Sequence, residues 1–384
     1  MVYLDNSATT RTDPEVIRVM VDVMEKVYGN PSSLHGIGAK AHRLLEEARE
    51  AVARALGVHS GEIVFTSGGT ESNNLAIKGV AEQFQNRGRH LITTEVEHPS
   101  VYQAFRQLEE RGWRVTYLPV DRLGRVSEKD VGKALTEDTV LVSVMHVNNE
   151  VGTVQPIEEI GRILKSRPKV IFHVDAVQAF GKVELEPARW GVDLLSLSGH
   201  KFHGPKGVGV LYVREGLRLT PLLAGGGQEG GLRSGTENVP GIAGLAKAAI
   251  LASQRKEKAR QWQKWKEELI REVTSRLEGV VVNGDVTPEG GAPHILSLAF
   301  PGLKSEVIVH ALEKEEVFVS SKSACSSKRE TPSRVLTAMG LDDSAAIGAI
   351  RISMSHQTVE SDIRQCARAL IRVIPELQRV MKKG

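Results

Sequence analysis

A lysine lies in a polar turn between two apolar runs near the middle of the chain. The runs 192–197 and 208–213 have the length and branching of buried strands, and the turn between them is rich in glycine. A lysine at the end of a buried strand can be partly desolvated, which lowers the pKa of its amine and makes that amine a nucleophile towards carbonyl carbons. Lys201 is therefore a candidate for covalent chemistry with an aldehyde. The alternative from this stretch alone is a hairpin whose lysines are solvated.

A second stretch predicts a site for an anion. The short apolar run 63–65 leads into the glycine-containing turn 66–74 and then into a helix. Free backbone N–H groups and the positive end of the helix dipole point at the same place in such a turn, so it can hold a phosphate. The same residues are also compatible with a serine or threonine that merely caps the helix.

Polar side chains follow three further predicted strands, at the edge where ligands bind in open α/β sheets. An ionised Asp175 could keep a pyridine nitrogen protonated, and a helix cap is an equally weighted alternative. An imidazole such as His98 can stack on a flat ring and move protons near neutral pH, although a lone histidine is more often structural. Asn149 belongs to an Asn-Asn-Glu-Val-Gly sequence that is also adequate as a simple turn.

The two cysteines differ in their surroundings. Cys366 shares a helical face with apolar residues, which predicts a buried and unreactive thiol. Cys325 lies among serines and the cations Lys322, Lys328 and Arg329, which should increase its thiolate character. We therefore predict that Cys325 is a nucleophile, against the alternative of a surface thiol without a function. Two cysteines do not form a disulfide framework, so a reducing compartment is the simpler expectation.

Arg351 is the single charge in a strand-like run near the end of the chain. Such an arginine is either paired structurally or forms a bidentate clamp on a carboxylate. No spacing of His, Cys, Asp and Glu suggests a set of metal ligands, so we predict no metal site.

Strands and helices alternate regularly over residues 63–174, which predicts a mostly parallel sheet covered on both faces. The stretch 239–277 predicts one long helix or two joined helices. Shorter strands and helices in the remainder suggest an α+β unit. We therefore predict an α/β fold with two domains. Residues 1–255 would form the large domain with the N-terminal segment, and residues 256–384 a smaller C-terminal domain that carries Cys325.

The overall composition excludes several classes of protein. Among 384 residues, 50 basic and 47 acidic side chains give a formal charge of +3, and aromatic residues make up 4%, so direct nucleic-acid binding is not expected. The N-terminal residues do not have the pattern of a secretory signal, and no apolar run is long enough to span a bilayer. We expect a cytoplasmic protein without a membrane association.

The string Ser-Gly-His-Lys-x-x-Gly-Pro-Lys-Gly around Lys201 resembles the pyridoxal-phosphate lysine motif of the cysteine desulfurases, the NifS/IscS group of the class V aminotransferase family. The resemblance covers nearly the whole chain, from the Tyr3-Leu-Asp-Asn-Ser-Ala-Thr-Thr string to Arg351, and includes Glu-His at His98 and Ser-Ala-Cys-Ser-Ser at Cys325. It implies a large domain with the PLP-transferase-like (aspartate aminotransferase-like) fold. It also implies pyridoxal 5′-phosphate as the cofactor, with Lys201 as the residue that bonds its aldehyde.

The resemblance implies a phosphate site that two subunits share. The residues expected to hold the phosphate are Gly69, Thr70, Ser198 and His200. Thr236, in the Arg-Ser-Gly-Thr string that ends the glycine-rich loop 225–235, is expected to reach the phosphate of the neighbouring subunit. This arrangement implies a homodimer.

Further roles follow from the same resemblance. Asp175 is expected to pair with the ring nitrogen and Gln178 to contact the phenolic oxygen. His98 takes the stacking and acid–base role. Asn149 is expected to touch the ring oxygen or the substrate carboxylate, and Arg351 to hold that carboxylate.

The implied reaction converts L-cysteine to L-alanine and leaves the sulfur on Cys325 as a persulfide. Lys201 or His98 is expected to remove the α-proton. Acceptor proteins would then collect the sulfur for iron–sulfur clusters or thiolated tRNA. The alternatives are another class V enzyme, either an aminotransferase or a selenocysteine lyase, and a non-catalytic scaffold for sulfur relay.

The sequence departs from the family pattern at two places. Lys322 stands where the Cys loop usually has glycine, which bears on the flexibility of that loop. Met354-Ser355-His356 stands where Leu-Gly-Arg is common, which bears on the packing of the loop after Arg351.

Overall fold

The structure is a computed structural model that describes residues 1–255, 257–321 and 332–381. Its strands are β1 (Val2–Tyr3), β2 (Ile63–Thr66), β3 (His90–Thr94), β4 (Arg114–Leu118), β5 (Thr139–Met145), β6 (Ile171–Asp175), β7 (Leu194–Ser198), β8 (Gly209–Val213), β9 (Val281–Asn283), β10 (Ile295–Ala299), β11 (Val317–Phe318) and β12 (Ala349–Ser353). Its helices are α1 (Pro14–Lys26), α2 (Gly36–Leu56), α3 (Gly69–Phe84), α4 (Pro99–Glu109), α5 (Glu128–Ala134), α6 (Ile157–Leu164), α7 (Pro187–Trp190), α8 (Val239–Gln254), α9 (Lys258–Arg276), α10 (Ser305–Glu313), α11 (Arg334–Ala338), α12 (Asp343–Ile347) and α13 (Glu360–Met381).

The largest sheet among the described residues has seven strands in the order β2-β8-β7-β6-β5-β3-β4. Neighbours from β4 to β7 are parallel, whereas β8 is antiparallel to both β7 and β2. Because β8 alone is reversed in this sheet, the other strands all end at one edge. The predicted α/β fold with a mostly parallel sheet is confirmed, and the turns that follow β2, β3, β5, β6 and β7 meet on one side of the molecule.

The sequence explains the layers around this sheet. Every residue of β5, β6 and β7 is buried, as expected for central strands covered on both faces. The helices present apolar stripes to these faces and carry local start and stop signals. For example, the carboxylate of Asp13 caps α1 ahead of Pro14, and Gly57 ends α2 with φ at 70°.

A second core lies around a smaller sheet in the order β12-β10-β9. The helices α9, α10 and α13 pack on this sheet through residues such as Trp262, Ile308 and Leu370. The N-terminal strand β1 pairs with β11 in parallel and belongs to this second core. The chain then crosses to the large sheet, where the N–H of Thr10 donates to the carbonyl of His200 at 2.9 Å.

The stretch 239–277 contains two helices, which confirms the prediction of two joined helices and not that of one long helix. α8 ends at Gln254 because Arg255 leaves the helical region, with φ at −110° and ψ at 21°. α8 packs into the first core and α9 into the second. The division into domains at residue 255 stays a prediction. In the parts of the chain that the structure describes, no helix combines the length and apolar character needed to cross a membrane.

Candidate active site

A cavity of about 440 Å³ opens at the carboxyl edge of the large sheet. The predicted site residues that line it are Gly69, Thr70, His98, Asn149, Asp175, Gln178, Ser198, His200, Lys201 and Arg351. These residues come from widely separated parts of the chain. Except for Arg351, which lies in β12 of the smaller sheet, they end or follow parallel strands of the large sheet, whose carboxyl ends share one edge.

Lys201 lies in a short 3₁₀ turn that begins directly after β7. Its amine donates hydrogen bonds to the carbonyl oxygens of Ser7 and Ala8, at 2.7 and 2.8 Å. β7 and β8 form the expected hairpin, and the lysine is partly buried in the cavity wall rather than fully solvated. The N-terminal segment therefore holds the amine at the cavity.

Asp175 is the last residue of β6 and is almost completely buried. Its Oδ1 accepts from the N–H of Val177 at 3.0 Å, and its Oδ2 accepts from the side-chain amide of Asn73 at 2.8 Å. Burial raises the pKa of Asp175, while these two hydrogen bonds and the charge of Lys201 act in the opposite direction. The carboxylate thus supports the turn after its strand and also lines the cavity.

His98 is the N-cap residue of α4, where its Nδ1 accepts from the N–H of Ser100 at 3.2 Å. The Ser100 hydroxyl accepts from Asn73 at 2.9 Å and lies 2.8 Å from the same Nδ1. Because Nδ1 accepts a backbone hydrogen bond, the neutral ring must carry its proton on Nε2. Burial lowers the pKa of His98 to about 4, and the charges of Lys201, Arg334 and Arg351 add to the effect.

The turn between β2 and α3 has the geometry of an anion site. Gly68 is the N-cap residue, with φ at 153°, and no side chain caps the helix. The capping alternative is therefore wrong, and the backbone N–H groups of Gly69 and Thr70 have no hydrogen-bond acceptor within the described chain. A Cβ on Gly69 would lie 2.8 Å from Cγ2 of Val177, so only glycine fits there without a shift.

Arg351 is buried in β12, and its guanidinium makes two hydrogen bonds among the described residues. Nη2 donates to Oδ1 of Asp5 at 2.8 Å, and Nη1 donates to the carbonyl oxygen of Asn149 at 2.9 Å. Its Nε is buried without a hydrogen-bond partner. The arginine is thus paired structurally and lines the cavity as well.

Two side-chain amides at this edge of the sheet, those of Asn148 and Gln178, form hydrogen bonds with backbone groups. Asn148 Oδ1 accepts from the N–H groups of Glu150 and Val151, at 2.9 and 3.0 Å, so Asn148 builds the turn and Asn149 lines the cavity. Gln178 donates from Nε2 to the Ser7 carbonyl at 2.9 Å, and its Oε1 is buried without a partner.

Of the predicted residues that the structure describes, Thr236 is exposed and does not line this cavity. Cys325 lies outside the described residues, as do Lys322, Lys328 and Arg329. The described residue Ser320 forms a backbone bridge with Arg351 on one side of this stretch. The expectation for the second cysteine is confirmed, since Cys366 is completely buried in α13 and burial raises the pKa of its thiol to about 12.

The sequence did not single out Asn73, Ser100, Ser7 or Glu97. Asn73 lies one helical turn after Gly69 on α3, and this spacing is the signal that could have found it. Glu97 is buried beneath the site, where its Oε1 accepts from the hydroxyl of Thr94 at 2.8 Å and from the N–H of Met145 at 2.9 Å. Burial raises the pKa of Glu97 to about 8, so it is mostly protonated at neutral pH.

Known proteins resemble this chain along almost its full length. The family described as aminotransferase class-V matches residues 2–366. A protein of Dictyoglomus turgidum described as cysteine desulfurase IscS is 44% identical and covers 99% of this chain and 96% of its own. A solved structure described as a NifS-like protein superposes with a TM-score of 0.91 at 41% identity, covering 98% of this chain and all of its own. The structure described as SspA in complex with cysteine has a TM-score of 0.82 at 37% identity, covering 94% of this chain and all of its own. The chain therefore belongs to the class-V aminotransferase family, in the group of NifS-like and IscS-like proteins.

Proposed function

We propose that the protein is a cysteine desulfurase that uses pyridoxal 5′-phosphate to convert L-cysteine to L-alanine. The observation that carries the proposal is that the amine of Lys201, the carboxylate of Asp175 and the uncapped start of α3 at Gly69 line one cavity. An amine, an acid and an anion site are the groups that this cofactor requires. The relatives named cysteine desulfurase, and the SspA structure with cysteine, support the choice of substrate.

The residues present fit the cofactor. The free N–H groups at Gly69 and Thr70 suit a phosphate at the positive end of α3. The buried and unpartnered Oε1 of Gln178 suits a hydroxyl or N–H donor on the ring. Ser198 and His200 line the same cavity and complete the phosphate site within this chain. Asp175 would hold the proton of the ring nitrogen.

The cofactor, when bound through Lys201, supplies a ring that accepts electrons and so weakens bonds at the α-carbon of an amino acid. The chain supplies the proton transfer. His98 is a weak base with its proton on Nε2, so it serves as a stacking group and hydrogen-bond donor. Lys201 is then the residue that removes the α-proton, held in place by the carbonyls of Ser7 and Ala8.

Arg351 and Asn149 are proposed to hold the substrate carboxylate. Both line the cavity, and the guanidinium of Arg351 is fixed by its contacts with Asp5 and with the Asn149 carbonyl. A guanidinium held on two sides loses little freedom when it binds a carboxylate. This arrangement would select amino acids by their α-carboxylate.

Cys325 is proposed to take the sulfur. Its thiolate attacks the substrate sulfur, an S–S bond forms, and the electron pair of the C–S bond leaves with the carbon fragment that becomes alanine. The Cys325 persulfide then passes its sulfur to acceptor proteins that build iron–sulfur clusters or thiolate tRNA. A free, buried Cys366 as the second cysteine supports a reducing compartment, the cytoplasm.

The active form is proposed to be a homodimer in which Thr236 reaches the phosphate of the neighbouring subunit. Ile17, Val21 and Met24 form an exposed apolar row on α1, and Tyr28 and Leu34 after the helix are also exposed. A single folded chain rarely leaves such a row in water. A second copy of the chain would cover it.

The test is an assay of alanine and sulfide formed from L-cysteine with a reductant. We expect wild type and the control Cys366→Ala to form both products. The variant Cys325→Ala should bind the cofactor, as judged by its visible absorbance, and release almost no sulfide. Full sulfide release by Cys325→Ala would reject the persulfide role and favour a lyase or an aminotransferase.

A second variant tests the cofactor itself. Lys201→Ala should lose both the visible absorbance of the Lys-bound cofactor and all turnover. A colourless wild-type protein that takes up no pyridoxal phosphate would leave only the scaffold alternative.

A further inference from the structure

The turn before His98 is held through its main-chain carbonyl groups. The three consecutive carbonyl oxygens of residues 95–97 each accept a hydrogen bond from a side chain that lies 52 or more positions later in the chain. Asn148 donates from Nδ2 to the carbonyl of Val96 at 3.0 Å. Arg334 donates to the other two carbonyls, one from each terminal nitrogen of its guanidinium. The backbone that leads into His98 is therefore fixed by groups outside β3 and α4.

The guanidinium of Arg334 joins the two sides of this turn. Its Cζ lies 3.9 Å from the centroid of the Tyr102 ring on α4, and a cation in this position is attracted to the ring. The N–H of Tyr102 donates to the carbonyl of His98 at 3.0 Å, so the ring belongs to the first turn of the helix that His98 caps. One planar group thus connects the residues before α4 with the start of α4.

Arg334 has no carboxylate partner among the residues that the structure describes. Its side chain is partly buried, and its charge is placed against main-chain oxygens and an aromatic ring. A desolvated charge raises the free energy of the folded state unless its N–H groups are hydrogen-bonded. The two carbonyl groups meet this need, so the turn and the arginine stabilise each other.

The start of α11 holds Arg334 close to this turn. The two residues that follow Arg334 are buried in one apolar cluster with Val96. Ser333, which precedes it, donates from its hydroxyl to Oε2 of Glu150. Glu150 directly follows Asn149, which lines the active-site cavity. The start of α11 is therefore packed against two of the turns that border the cavity.

The ring of His98 depends on the orientation of this turn. Its Nδ1 accepts from the N–H of Ser100 at 3.2 Å, and this cap requires that the residue before α4 keep its position relative to the first helical turn. The charge of Arg334 also contributes to the low pKa of His98, after burial and the charge of Lys201. Arg334 itself does not line the cavity, so both effects reach the site through His98.

We propose that Arg334 is a positioning residue that fixes the ring of His98 in one orientation and one tautomer, by holding the carbonyls of Glu95 and Glu97 against the ring of Tyr102. The inference rests on the proposed function, in which His98 stacks on the cofactor and donates from Nε2. Lysine is a poor substitute, because one ammonium on a flexible stem does not provide the planar set of donors that reaches two carbonyls and also stacks on a ring.

The first experiment observes the ring of His98 without turnover. The cofactor-loaded protein is labelled with ¹⁵N-histidine, its imidazole nitrogens are recorded by NMR near neutral pH, and the His98 signals are identified by their absence in His98→Gln. We expect wild type to show a single tautomer with the proton on Nε2. Arg334→Lys and Arg334→Met should show averaged shifts of the two nitrogens, because the cap on Nδ1 loosens.

The matched control for this experiment is Arg106→Lys. Arg106 lies on α4, is exposed, and pairs with Glu109 away from the turn before His98. Its variant should keep the single tautomer of wild type. A single Nε2–H tautomer in both Arg334 variants would overturn the proposal, and so would equal averaging in Arg106→Lys.

The second experiment measures alanine formation from L-cysteine with a reductant. Arg334→Lys should lower kcat by about 10- to 100-fold, because a small displacement of a positioned group has an effect of this size. The KM for cysteine should change by less than about twofold, since the substrate carboxylate is proposed to be held by Arg351 and Asn149. A rise in KM at an unchanged kcat would contradict a role through His98.

A double-variant cycle separates positioning from a general loss of folding. In the His98→Gln background, Arg334→Lys should reduce the residual activity by less than about twofold, because both substitutions act through one ring. Two effects that simply multiply would show that Arg334 acts independently of His98 and would overturn the proposal. Turnover by wild type and by Arg106→Lys tests the proposed function separately, so a loss confined to the Arg334 variants is not mistaken for its failure.

Discussion

Asn73 and Asp175 are separated by 102 positions and joined by a hydrogen bond of 2.8 Å from Nδ2 to Oδ2. Asn73 also donates to Ser100, whose hydroxyl contacts Nδ1 of His98. The Asn73 amide therefore connects Asp175, which is proposed to hold the proton of the ring nitrogen, with His98, which is proposed to stack on the ring. Asn73 lines the same cavity and positions the two side chains through these hydrogen bonds.

Removing this amide should weaken cofactor binding. A hydrogen bond to a charged group contributes about 1.5 to 3 kcal/mol, so Asn73→Ala should raise the dissociation constant of pyridoxal phosphate by about 10- to 100-fold. Titration followed by visible absorbance measures this constant. The control Asn74→Ala removes a neighbouring amide that bonds mainly to the Thr70 carbonyl, and it should have a small effect. Equal affinities for Asn73→Ala and wild type would contradict the connection described here.

Gly69→Ala tests whether the anion site needs the space that glycine leaves at this position. The new Cβ would lie 2.8 Å from Cγ2 of Val177, so the start of α3 or the turn after Asp175 must move. We expect a lower cofactor affinity with the fold retained, measured by the same titration and by circular dichroism. Gly61→Ala is the matched control, because a Cβ there meets no atom within 4 Å. An unchanged affinity in Gly69→Ala would show that no close contact matters at this turn.

Glu97 predicts an unusual loss of stability as pH rises. Its pKa is about 8 in the folded chain and 4.5 as the ordinary value, so the folded state binds more protons between these limits. The stability of wild type should therefore fall relative to Glu97→Gln, which cannot ionise, by about 1.4 kcal/mol per pH unit and by about 3 kcal/mol in all at pH 7. Urea unfolding at pH 5, 6 and 7 measures this difference. A constant difference over this range would mean that Glu97 is ionised in the folded chain.

Buried histidines predict the opposite trend in acid. Burial lowers the pKa of His146 to about 4 and of His173 to about 3, below the ordinary value of 6.5. The unfolded chain then binds more protons below pH 6.5, and each histidine should remove about 2 kcal/mol of stability between pH 7 and pH 5. His173→Gln removes one group that binds a proton on unfolding, so its free energy of unfolding should fall less steeply between pH 7 and pH 5 than that of wild type. Unfolding curves for both proteins at the two pH values test the claim, which fails if the slopes are the same.

The exposed apolar row on α1 and the residues after it predict an oligomer. Leu34 is fully exposed and Met24 is 54% exposed in the single chain. We expect wild type to sediment as a dimer and the double variant Met24→Asp, Leu34→Asp to sediment as a monomer. The monomer should also have a lower affinity for the cofactor. Val359→Asp, at a residue that is 52% exposed in another part of the chain, is the control and should remain a dimer. A wild-type monomer would remove the proposed role of Thr236.

The sequence predicts the large elements well because each carries its own signal. The strand β5 is a near-continuous apolar run, and α4 begins at Pro99, as the spacing after His98 indicates. The strand β11 ends at Phe318, and Ser320 beyond it pairs with Arg351 instead of with β1. Tertiary pairing decided that boundary, and local sequence does not record it.

The candidate site is predictable only where one residue type is unusual for its place. Asp175 ends a buried strand and Lys201 lies in the turn directly after one, so their polarity marks them. Asn73 and Ser7 act through contacts with residues more than 100 positions away, and no local pattern identifies such contacts. The proposed role of Cys325 is supported by its sequence surroundings and by the family.

The bonds from Lys201 to Ser7 and Ala8, and from Arg351 to Asp5, set an order of events during synthesis. Asp5 cannot gain its partner Arg351 until β12 has been made. Completion of the pocket therefore waits for Arg351, which lies 346 positions after its partner Asp5.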